Sequence, residues 1–129
     1  MFLNVVIDEI ARVCSVEDTD YTICAGDFNT DFTRLTSLHT RALNAFTANE
    51  NFCTLNSLQT YDVPFTFESK ANGARSTLDH FFVSPNLLDQ VRSVSVSFSI
   101  NNTSDHFPVH ACFEIDTGHR SQPRCNLPK

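Results

Sequence analysis

Apolar residues recur along the chain with two different periods, and the period sets the element. Phe2, Leu3, Val6, Ile10 and Val13 fall on one stripe at helical spacing, with Asp8, Glu9 and Arg12 opposite. This predicts an amphipathic helix ending near Cys14. Leu38, Ala42, Ala45 and Phe46 form a second stripe, led by Leu35, and predict a helix over 36–48 that Asn49-Glu50-Asn51 closes. Between the two, 21–25 is a short apolar run predicting a buried strand, and 26–33 reads as a loop. Strands are also predicted over 52–55, 65–68, 77–83, 91–100 and 108–115. The stretch "KANGAR" (70–75) carries Asn72-Gly73 at its centre, a dipeptide suited to a hairpin turn. Ser84-Pro85-Asn86 caps a short helical turn through Leu88. In 91–100, Val94, Val96, Phe98 and Ile100 alternate with Ser93, Ser95, Ser97 and Ser99, as in a strand with one wet face. Two helices interspersed with strands, one pair of them joined by the 70–75 turn, predict a mixed α/β (α+β) chain. The domain spans 1–115, and 116–129, poor in apolar residues, is expected to be a disordered tail.

Composition supports a single globular domain: 129 residues, 41% hydrophobic and 19% charged. Twelve Phe and no Trp supply core material. The net charge of -6 argues against generic binding to a phosphate backbone and leaves room for a divalent-cation site. Of five Cys without a CxxC, Cys14, Cys24, Cys53 and Cys112 read as small buried hydrophobes in a reducing compartment, not as a disulfide frame or zinc site. No apolar run approaches membrane-spanning length and no signal-peptide pattern opens the chain. The expectation is an intracellular protein, nuclear or cytoplasmic, with no membrane partner.

Three polar clusters sit at strand–loop junctions: Asp27 and Asn29, Asp79 and His80, Asp105 and His106. If the strands share a sheet, the clusters converge at one end of it. Carboxylates hold Mg²⁺, an Asp orients a His or takes a proton from water, and an Asn amide binds a phosphoryl oxygen. Singly, the Asp27–Asn29 and Asp105 clusters are more often only a turn or a loop cap. Asp79 is the exception, because it interrupts the apolar run "LDHFFV", where a buried charge needs a partner.

In their order, "GDFN", "STLDHFFVS" and "SDHFPV" resemble the three C-terminal motifs of the endonuclease/exonuclease/phosphatase superfamily, the DNase I-like or AP-endonuclease-like fold. "FTFES" ahead of "STLDHFFVSPNL" is most similar to endonuclease domains of LINE-type non-LTR retrotransposons. The resemblance implies half of a four-layer αββα sandwich, mostly antiparallel sheet with two main helices, and Mg²⁺-dependent (or Mn²⁺-dependent) phosphodiester hydrolysis with DNA as substrate. It also implies roles. Asp27 serves the attacking water, Asn29 binds the scissile phosphate, Asp79 orients His106, and His106 stabilises charge on the phosphate. Asp105 lies beside the metal, while Ser76 and His80 support the site. The family's principal metal-binding Glu has no counterpart here, since Asp8 and Glu9 lie on a predicted helix. The expectation is therefore the C-terminal half of a catalytic domain, marginally stable and weakly active alone, needing the other half or a partner over its open sheet. Two rival readings stand: a superfamily phosphatase acting on inositol phosphates or lipids, and a non-catalytic remnant.

Overall fold

The computed structural model describes residues 2–58, 61, 63–116 and 118. The elements in chain order are α1 (Phe2–Val16), β1 (Ile23–Asp27), α2 (Leu38–Asn49), β2 (Cys53–Thr54), β3 (Phe67–Glu68), β4 (Arg75–Ser76), β5 (Asp79–Val83), β6 (Val91–Val96) and β7 (Val109–Phe113). Two 3-10 turns, Leu55–Ser57 and Pro85–Gln90, come directly after β2 and β5. All strand pairs are antiparallel, in three small sheets ordered β1-β5-β2, β3-β4 and β6-β7. The mixed helix and antiparallel-sheet class read from the sequence is the one observed.

β5 is the hub, and its period of two divides the core. Phe82 points to the helices, in a cluster with Leu3, Phe28, Leu43 and Phe46. Val83 and Phe81 point the other way, into a second cluster with Leu55, Leu87, Val91, Val94 and Val109. The layers are thus helices, the β5 sheet, then β6-β7. β1 is an edge strand. Ile23 and Ala25 pair with Val83 and Phe81, yet Ile23 is 43% exposed and Ala25 is exposed too. The strand expected to be buried therefore has one open face, because β6-β7 covers β5 and stops short of its neighbour.

Three further expectations change. The strand read as 77–83 splits. The amides of Thr77, Leu78 and Asp79 bond the side chains of Asp31 and Thr66 instead of a neighbouring strand, so β4 ends and β5 turns to other partners. The strand read as 91–100 stops at Val96. Ser97 N–H still reaches the Pro108 carbonyl at 2.9 Å, but proline has no N–H to return, and the ladder ends. Ile100, placed on the core face by alternation, is 99% exposed. Cys112, expected to be buried, lies on the outward face of β7, while Cys14, Cys24 and Cys53 are partly buried and all four are free. The expected tail lies, apart from Asp116 and Gly118, outside the described residues. Among the described residues, no helix is long and apolar enough to cross a membrane.

Candidate active site

Register builds the site. Antiparallel pairing of β1 with β5 sets the last residue of the one, Asp27, opposite the first of the other, Asp79. Two like charges facing across a ladder repel. His106 lies between them. Its Nδ1–H donates to Asp79 Oδ2 at 2.9 Å, and its Nε2 stands 3.8 Å from Asp27 Oδ2. A carboxylate can only accept, so the Nδ1 bond fixes the tautomer and leaves Nε2 facing Asp27 and solvent.

Each member is held by its own scaffold. Asp27 Oδ1 accepts the Asn29 N–H at 2.8 Å, which tightens the loop and leaves Asn29 at a left-handed φ of 47°. Asp79 Oδ2 also accepts the Thr66 hydroxyl at 2.6 Å, and Thr66 Oγ1 in turn accepts the N–H groups of Leu78 and Asp79. Asn56 brackets the same strand, donating to the Asp79 carbonyl and accepting from Phe81 N–H. His106 is placed by the hairpin. Glu68 N–H bonds the Asp105 carbonyl and Phe107 N–H bonds the Thr66 carbonyl, so His106 meets Phe67 of β3 in a single antiparallel bridge. Phe67 sets its edge against the imidazole, with centroids 5.1 Å apart. Within the loop, Asn102 donates to the His106 carbonyl, and Ser104 Oγ accepts His106 N–H.

The electrostatics follow from these contacts. Partial burial works against the His106 cation, but the Asp79 hydrogen bond and charge, with Asp27 and Asp105 behind them, outweigh it and raise its pKa. His80 shows the reverse. It lies on the opposite face of β5, 2% exposed, with Nε2–H donating to the Thr30 carbonyl at 2.7 Å and the ring stacked on Phe82. Burial lowers its pKa despite that carbonyl and the charges of Asp79, Asp31 and Asp27.

Of the residues singled out from sequence, Asp27, Asp79 and His106 converge, each offering a ligand atom within 4.8 Å of the others. Asn29 shares a cavity wall with His106. Asp105 lies outside the converging group, although its charge reaches His106. Ser76 is buried in β4 and bonds Arg34, while His80 braces the 28–32 loop from behind. Asp31, in the same loop, caps Thr33 with Oδ1, and its Oδ2 ties that loop to Thr77. Burial disfavours its carboxylate, yet the bonds from Thr33 and Thr77 and the charge of Arg34 lower its pKa. Thr66 and Asn56 were missed. The alternation in "FTFES" turns Thr66 away from Phe65 and Phe67 and was the available signal. Asn56 had none.

The site can be tested against a metal. A hard cation such as Mg²⁺ takes one or two carboxylates, keeps waters and uses substrate oxygens for the rest. Asp27, its side chain 49% exposed, offers an oxygen on those terms. Asp79 Oδ2 already accepts two hydrogen bonds and is the poorer ligand.

The sequence profile of the endonuclease-reverse transcriptase family matches residues 3–110, which takes in all three clusters. The chain belongs to this family. No curated protein matches it. Among solved structures, an endonuclease/exonuclease/phosphatase family protein from Bacteroides thetaiotaomicron is similar in fold, with a TM-score of 0.52 and 24% identity. The match covers 93% of this chain and 45% of that one, so the chain spans less than half the length of that neighbour. The superfamily and fold class implied by the three motifs are those found. In this endonuclease-reverse transcriptase family member, the matched region runs from α1 through the first residues of β7.

Proposed function

We propose that the chain forms part of a Mg²⁺-dependent phosphodiesterase that nicks DNA, in the manner of a retrotransposon endonuclease. The observation that carries this reading is the Asp79–His106–Asp27 line, with a fixed imidazole tautomer and Asn29 beside it. Asp27 accepts the proton of a water whose oxygen attacks phosphorus; the bond to the leaving oxygen breaks, and that oxygen keeps the electron pair and takes a proton from solvent. The Asn29 amide donates to a non-bridging oxygen, and the His106 cation, favoured by Asp79, faces the negative charge that builds there. Asp27 is the residue that would hold Mg²⁺, which when bound would supply Lewis-acid polarisation of a phosphoryl oxygen. Further ligands and a cover for the open face of β1 come, in this reading, from a segment outside these residues. The open apolar face and the 45% coverage of the neighbour support that part.

The test is supercoiled-plasmid nicking by the full-length protein with Mg²⁺, with Asp27→Ala and His106→Ala beside it. Each substitution should lower the rate by about a hundredfold or more. Full-rate nicking by either variant would overturn the roles. Phosphoinositide hydrolysis without nicking would move the substrate to the phosphatase branch.

A further inference from the structure

Arg34 differs from the arginines that make ion pairs. Arg12, Arg75 and Arg92 each meet a glutamate, Glu9, Glu68 and Glu114, at 2.6 Å, and their charge is cancelled on the spot. Arg34 instead donates from Nη2 to the neutral hydroxyl of Ser76 at 3.0 Å, across 42 positions of sequence. Ser76 is 6% exposed, so the anchor is fixed. The acid nearest in sequence, Asp31, is committed elsewhere, with Oδ1 on Thr33 and Oδ2 on Thr77. A guanidinium presents five donors in a planar fork, and Ser76 takes one of them.

The location matters more than the charge. Arg34 lines a cavity of about 270 Å³ whose wall also includes Asn29, Phe67, Ser76 and His106. The groups assigned above to the scissile phosphate thus share one hollow with a cation that makes no salt bridge among the described residues, although its charge is felt by Asp31. Around it the chain is acidic: net charge is -6, Asp27 and Asp79 converge on His106, and the charge of Asp105 reaches it. A polyanionic strand drawn to such a surface needs a fixed positive group near the reacting phosphate.

We propose that Arg34 is a substrate-binding residue that grips a non-bridging oxygen of the backbone phosphate adjoining the scissile one. Its anchor on Ser76 pre-sets the fork, so little side-chain freedom is lost on binding. The residue thereby favours a continuous nucleic-acid strand over a compound with a single phosphodiester. This inference rests on the phosphodiesterase reading, and the two can fail separately.

The experiment uses the full-length protein and two substrates, a duplex oligonucleotide and bis(p-nitrophenyl) phosphate, which has no neighbouring phosphate. Arg34→Ala should weaken duplex binding by about tenfold and make the slope of log affinity against log salt shallower by about one. Binding is read in a His106→Ala background, where cleavage does not interfere. On the duplex, KM should rise with kcat unchanged, and hydrolysis of the small diester should stay as in the parent. Arg34→Lys should restore the slope but not the full affinity, since an ammonium keeps the charge and loses the fork. Arg41→Ala, an exposed arginine on α2, serves as the control and should leave the slope alone. An unchanged slope and KM in Arg34→Ala, with DNA still cut, overturns the inference and spares the reading. Equal losses on both substrates with a lowered Tm assign Arg34 to loop structure and overturn it too. A parent protein that neither binds nor cuts DNA defeats both.

Discussion

Asn29 carries two jobs that substitution can separate. Its backbone sits at φ 47°, and its amide side chain is the proposed phosphate donor. Asn29→Gly keeps the backbone comfortable and deletes the amide. Nicking should fall by about a hundredfold with Tm held. Asn29→Val deletes the amide and strains the turn as well, and thermal unfolding should show a further loss of about 1–2 kcal/mol. The two histidines make opposite statements about pH. His106 has a raised pKa when folded, so its contribution is full in acid and fades as pH climbs through that value. His80 has a lowered one. The unfolded chain takes up its proton first, and stability falls as pH drops below the ordinary imidazole value of about 6.5. Tm measured between neutral pH and the acid side should decline more steeply in the parent than in His80→Gln. A steeper decline in the variant would mean that the His80 cation is not excluded. The sequence made Asp79 legible because a charge inside "LDHFFV" demands a partner. It left Asn56 obscure because its targets are backbone atoms of β5 brought near only by the fold.

Among the elements, β5 has both faces covered and repays attack most. Phe82 is fully buried, with ring contacts to Phe28 at 4.8 Å, Phe32 at 6.2 Å and Phe46 at 6.4 Å. Phe82→Ala should cost about 3–5 kcal/mol in denaturant unfolding. Phe98→Ala, at a residue 50% exposed, should cost well under half as much. The contrast tests how far the many phenylalanines serve as core, which composition suggested for most of them. The amphipathic helices and "FFV" were legible because one hydrophobic period runs through each. The end of β6 was not, since it depends on Pro108, a residue twelve positions downstream that lies opposite only after the strands pair. The break after β4 was hidden likewise, because it depends on Asp31 and Thr66 capturing amides from another segment.

At the scale of the whole molecule, the open face of β1 dominates. A cleft of about 470 Å³ lies between Ala25, Gly26 and Phe81 on one side and Phe107, Pro108 and Val109 on the other, with Asp79 and His106 in its wall. Apolar surface of this kind lies beside the Asp79–His106 pair and is open to solvent. The 129-residue chain alone should bind the dye ANS at neutral pH, and the signal should drop in a longer protein that supplies the covering segment. Absence of dye binding by the short chain would count against an uncovered cleft.

The pairing of Asp27 with Asp79 has one more consequence, for how the chain tolerates inserted residues. Loop insertions between β1 and β5 leave that pairing untouched and should be absorbed where the backbone is exposed. One residue added inside either strand would rotate every later side chain to the other face, sending the carboxylate into the phenylalanine layer and a phenylalanine into the cleft. Length variation among natural versions of this chain should therefore crowd into the connections and leave the two five-residue strands at fixed length.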